Sequence, residues 1–124
     1  MKKHLALIIL ASLFTLILSA CATDTAADTS PQVEAGMNIF QALCSTCHLT
    51  EVDQVLVGPS LAGLASRAGN TVDGMDAEAF IRQSILDPGA HVKDGFANLM
   101  PNIYGTTLSQ EELDALVAYF LTLN

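Results

Sequence analysis

Three helical patterns in this chain are separated by two stretches, Leu49–Met75 and Gly89–Leu108, that show neither helical period nor convincing strand alternation. Loops beyond about 15 residues are uncommon in a compact domain unless something orders them. Three short helices are also a meagre core for a domain of this size. A large, flat, apolar cofactor would answer both problems. The loops would wrap it, and its faces would serve as core. The fold class expected is all-α: three main helices with long loops around one such group.

The helices announce themselves locally. The first opens at Ser30, with Pro31 at the first helical position, and its apolar stripe is Val33, Met37, Phe40 and Cys44. The second covers roughly Asp76 to Leu86, with Ala77, Phe80, Ile81 and Ile85 inward. Asp87-Pro88-Gly89 ends it, because a residue before proline avoids helical angles. The third begins at Ser109, which forms a capping box with Glu112. Leu113, Leu116, Val117 and Phe120 then recur at the spacing of one helical face.

Cys44-Ser45-Thr46-Cys47-His48 has the Cys-x-x-Cys-His spacing by which c-type haem is attached. Two thiols one helical turn apart can reach the two vinyl groups of one porphyrin, and the adjacent imidazole then lies under the iron. Other readings of the pair exist. A zinc site would need further ligands, and outside the N-terminal segment only His91 is left to help, with no second Cys pair. A thioredoxin-like redox pair belongs in a strand–helix context, whereas a helix precedes this motif. A structural disulfide suits an oxidising compartment but leaves His48 and the long loops unexplained. One covalent haem c accounts for all of them.

Met37, Met75, Met100 and His91 are the candidates for a second axial ligand. Met37 sits on the first helix and is expected in the core; Met75 begins the second helix. Met100 lies late in the second long loop, where Pro101 stiffens the backbone, and is the expected ligand opposite His48. A gap-filling role for Met100, or His91 in its place, are the alternatives.

The N-terminus reads as an export signal. Lys2 and Lys3 precede an apolar run from Leu5 to Leu18, too short for a comfortable membrane span. Leu18-Ser19-Ala20-Cys21 resembles a bacterial lipobox, so residues 1–20 are expected to be a lipoprotein signal peptide and Cys21 the lipidated residue. An ordinary signal peptide with an incidental Cys, or a permanent signal anchor, are the other readings. Residues 21–32 are small, polar and aperiodic, a linker, and residues 33–124 form the domain. Past Ala20 three cations, Arg67, Arg82 and Lys93, face all 13 acidic residues, a formal charge of −10. No basic patch exists to bind nucleic acid or anionic lipid, so acyl chains would have to hold the protein at a membrane. The expected location is extracytoplasmic: the periplasmic side, or the outer face of the cytoplasmic membrane.

Over nearly all of residues 33–124 the chain resembles class I cytochromes c. The matching features are Gly36 and Phe40, the Cys44–His48 motif, Gly58-Pro59-Ser60-Leu61, Met100-Pro101, and Leu113 to Tyr119. The stretch from Ser84 to Leu123 looks most like cytochrome c domains of respiratory complexes, including haem–copper oxidases. The resemblance implies that the first and last helices cross closely, with Gly36 admitting Tyr119 and Phe120. It implies that the Pro59 carbonyl orients the imidazole of His48, and that Arg67 pairs with a haem propionate. Two features depart from the pattern. There is no Trp, Tyr104 being the aromatic residue available near the propionates, and there is no ring of lysines. The implied function is outer-sphere transfer of single electrons by a carrier that is not itself an enzyme. Its partners would be redox proteins of a respiratory or photosynthetic chain, such as a terminal oxidase or a quinol-oxidising complex, met through a basic face on the partner. The rival is a haem peroxidase or gas-binding sensor with an open iron site; a structural lipoprotein is a third reading.

Overall fold

The computed structural model describes residues 30–52 and 54–124. The expected signal peptide, Cys21 and most of the expected linker lie outside the described residues. Five helices occur in the order α1 (Pro31–Leu43), α2 (Leu64–Ala68), α3 (Ala77–Leu86), α4 (Tyr104–Thr107) and α5 (Gln110–Phe120). There is no strand among the described residues, as the all-α reading requires.

Each long helix starts where its sequence supplies an acceptor for the free N–H groups of the first turn. The Ser30 hydroxyl accepts from Val33 N at 3.3 Å, and the Asp76 carboxylate accepts from Ala79 N at 2.8 Å. At α5 the box is reciprocal: Ser109 Oγ accepts from Glu112 N, and the Glu112 carboxylate accepts from Ser109 N at 2.8 Å. Helix α1 begins at Pro31, two residues inside the expected linker, because Pro31 at the first position and Ser30 as cap are already a complete start signal.

The most extensive helix–helix contact is between α1 and α5. Gly36 makes it possible. A Cβ there would lie 2.6 Å from the Ala115 carbonyl carbon and 2.8 Å from Tyr119 Cβ, and closer still to the Ala115 carbonyl oxygen. The backbones touch, and Phe40 closes the crossing with its ring 5.6 Å from that of Tyr119 and 6.0 Å from that of Phe120. This corrects the expected stripe on α1. Met37 is 40% exposed, while Gly36 and Phe40 are buried and Ile39 and Cys44 pack partly against the core. A hydrophobicity pattern gives no weight to glycine, yet here the residue without a side chain is the one that faces the partner helix.

Helix α3 packs on α2, α4 and α5 and contributes Ile81 and Ile85 to the core, with Ala77 and Phe80 half-buried beside them. Arg82 ties α3 to α5: its guanidinium pairs with Glu78 at 3.0 Å and with Asp114 at 2.7 Å. The two stretches expected as plain loops each hold a short helix, α2 and α4. Five and four residues are too few to display a period, and Ala65 N donates to Leu123 O at 2.9 Å, a contact no local pattern encodes. Among the described residues no polar or charged residue is buried.

Candidate functional site

Helix α1 hands over to the motif without a break. Cys44 caps it, its N–H donating to Phe40 O at 2.8 Å, and the chain continues in tight turns: Cys47 N and His48 N both donate to Cys44 O, at 3.0 and 2.9 Å. The turn places both thiols on one side, free and half-buried. Burial, aided by the neighbouring Cys47, pushes the Cys44 thiol up to about 11. Such a thiol is neutral near pH 7, unlike the low-pKa thiolate of a redox-active pair. Among the described residues no group of three or more His, Cys, Asp or Glu comes together as a metal cluster, which leaves a tetrahedral zinc site short of donors.

His48 is fixed from outside. Its Nδ1 lies 2.9 Å from the Pro59 carbonyl oxygen. An imidazole that donates from Nδ1 keeps its lone pair on Nε2, the nitrogen then free to bind a metal. The segment that delivers Pro59 is itself pinned beside the motif, Gly58 N donating to Cys47 O at 2.9 Å and Leu61 N to Leu49 O at 2.8 Å. Gly58 lies flat on the imidazole. A Cβ there would be 2.8 Å from Nδ1 and 2.9 Å from Nε2, with Cε1 nearer still. Sequence reasoning gave Gly58 no role of its own; a glycine directly before the proline that meets the imidazole was the available signal.

Beside the motif opens a cavity of about 1000 Å³, at the upper end of what small-molecule and cofactor sites occupy. Cys44, Cys47, His48, Pro59, Arg67 and Met100 all line it. Its inner wall is the core itself: Leu61, Leu64, Ile81, Ile85, Leu116 and Phe120 belong both to the buried cluster and to the lining. His91 lines it as well, with Nε2 2.9 Å from Gln83 Oε1 and its ring against Phe80. Met37 and Met75 do not line it.

Two further polar side chains of the lining have partners or surroundings of note. The Arg67 guanidinium donates to the Ser60 carbonyl at 2.7 Å and to the Ala62 carbonyl, so it fastens the chain that follows Pro59. Desolvation by burial holds its pKa below the usual arginine value. Tyr104, the aromatic residue suggested for the propionate side, lines the cavity too; burial first, and then the charges of Cys44 and Cys47, raise its pKa.

These residues fit one porphyrin. The cavity is large and walled by core side chains, two thiols stand a turn apart at its edge, and an imidazole that donates from Nδ1 presents Nε2. A comparison with curated proteins finds no match. Residues 31–120 match the family described as cytochrome c oxidase, cbb3-type, subunit III. The chain belongs to that family and is a cytochrome c domain that binds covalent haem c.

Proposed function

We propose that this domain is a membrane-tethered one-electron carrier of a respiratory chain, with Cys44 and Cys47 as the thioether attachments and His48 and Met100 as the axial ligands. The observation that carries the reading is the pairing of a fixed imidazole with a thioether on the walls of one cavity: His48 is held by Pro59 at 2.9 Å, and Met100 lines the same space. Haem supplies a one-electron couple, and a methionine ligand favours its ferrous state. The protein's part is to hold still. Pro59 and Gly58 fix the ring, Pro101 stiffens the chain beside the thioether, and the apolar walls keep water away. Arg67 spends two of its five donors on backbone carbonyls, which leaves others for a propionate.

With His48 and Met100 both bound to it, the haem iron would exchange electrons and offer no open position to a small ligand. The test is the ferrous protein's response to carbon monoxide. Wild type is expected to bind it slowly or not at all, and Met100→Ala rapidly, with a ferric spectrum that turns high-spin. Rapid binding by wild type would sink the carrier reading and favour a sensor or peroxidase. His91→Ala should leave the spectrum unchanged.

The tether rests on the lipobox at Cys21. The anchored domain would lie on the periplasmic side or the outer face of the cytoplasmic membrane and deliver electrons to a terminal oxidase, the class of complex after which the matched family is described. A quinol-oxidising complex would reduce it. Cys21→Ser should release the domain from membranes; a variant that stays bound would count against lipidation.

A further inference from the structure

The chain exposes apolar side chains in two kinds of place. Leu43, Val57, Val92 and Leu99 are 43%, 55%, 41% and 67% exposed, but all four line the cavity, where a bound haem would stand against part of their surface. Off the cavity, Val55 and Leu56 are 59% and 50% exposed, as are Val52 just before them at 73% and, elsewhere, Met37, Leu86 and Ile103. Val55 and Leu56 stand on the segment that ends at Gly58, whose N–H donates to the Cys47 carbonyl and which has no room for a Cβ against the His48 ring. A pair of bare aliphatic side chains is thus held next to the redox group, facing outward.

Charge narrows what can cover them. From Gln32 to Ser66 the sequence has no Lys or Arg, the next cation, Arg67, is engaged by the Ser60 and Ala62 carbonyls, and Glu51, four residues before Val55, is exposed. An anionic lipid surface is repelled here, and so is an acidic protein face. A small apolar contact without a charged ring also suits a brief encounter, since transient redox complexes sit at the low end of interface size.

We infer that Val55 and Leu56, with Val57 and Leu43 at the cavity mouth, form the docking face for a redox protein. The partner presents an apolar patch bordered by a basic residue opposite Glu51. Burial of the aliphatic pair, more than long-range attraction, sets the strength of the encounter. One electron passes from the ferrous haem to the oxidised acceptor of the partner while the patch is covered. This rests on the electron-carrier reading above, and the test separates the two.

The probe is the terminal oxidase purified from the same membranes, mixed with reduced holoprotein; ferricyanide serves as a small acceptor that needs no docking face. Val55→Ser/Leu56→Ser is expected to lower the second-order rate to the oxidase about tenfold. Its spectrum, reduction potential and ferricyanide rate should match wild type, and the wild-type oxidase rate should change little with salt. Glu51→Gln should have a smaller effect. Equal oxidase rates for the two proteins, with ferricyanide normal in both, overturn the docking face, as does wild type that transfers nothing to the oxidase. Wild type that transfers no electron even to ferricyanide overturns the carrier reading itself. A wild-type dimer that the double variant dissociates, or wild-type binding to vesicles of neutral lipid that the variant abolishes, with oxidase rates unchanged, assigns the patch to a second copy or to the bilayer and overturns the inference.

Discussion

The α1–α5 crossing and the loop pair that wraps the cavity are built on opposite terms. At the crossing, backbone meets backbone through Gly36, and Phe40, Tyr119 and Phe120 close the gap with their own rings. Nothing foreign is required. Around the cavity, Leu61, Leu64, Ile81 and Ile85 reach the core on one side and about 1000 Å³ of cofactor space on the other. That half of the molecule is complete only when haem supplies the remaining contacts. A small domain can thus afford long loops, provided one element pair is self-sufficient and anchors the attachment motif at its end.

The sharpest way to break the contrast is to prevent attachment. Cys44→Ser/Cys47→Ser should lose haem and with it the order of residues 54–61 and 89–103, whereas α1 and α5 keep part of their pairing. Hydrogen exchange measured segment by segment checks this; uniform loss of protection would show that the crossing also depends on the cofactor. Gly58→Ala comes next. Its methyl group must displace the His48 ring, so the imidazole leaves the Pro59 carbonyl, and the haem spectrum should change before the helical content does. Gly36→Ala strikes the other region. Overpacking there should cost about 1–3 kcal/mol, read from denaturant unfolding of the holoprotein, with little change in the spectrum. If Gly36→Ala perturbs the haem as much as Gly58→Ala does, the two regions are not separable.

Much of this was readable from residue order. Ser30, Asp76 and Ser109 cap helices because capping is a matter of three or four consecutive residues, and the Cys44–His48 motif declares its chemistry by spacing alone. The rest depended on contacts across the chain. Met37 was misjudged because the face of α1 is chosen by Gly36 and Ala115, seventy-nine positions apart. The hold of Arg67 on the Ser60 and Ala62 carbonyls follows from backbone direction in a loop, which composition does not report.

The smallest effect expected lies at the α3–α5 seam, outside both regions. Hydrogen bonds from Arg82 and then Gln110 hold the Asp114 carboxyl below the usual carboxylate range. A depressed folded-state pKa gives stability that is present above the unfolded value, about 3.9, and lost as pH falls through the folded value. Asp114→Asn should therefore flatten the loss of stability on acidification below about pH 4, with no change at the haem. Thermal unfolding at stepped pH checks it, and an unchanged slope would remove Asp114 from the account.

The lack of buried polar side chains among the described residues has a consequence for the rate of electron exchange. A core of Leu, Ile, Val and Phe is a solvent with almost no dipoles free to turn. Where the core forms the inner wall of the cavity, such surroundings would not follow the gain or loss of an electron, and rearrangement would fall to the polar side chains of the outer lining, among them Arg67, Lys93 and Asn98. The same unresponsive medium stabilises whichever oxidation state carries less net charge. Speed and potential are set together by what the interior leaves out.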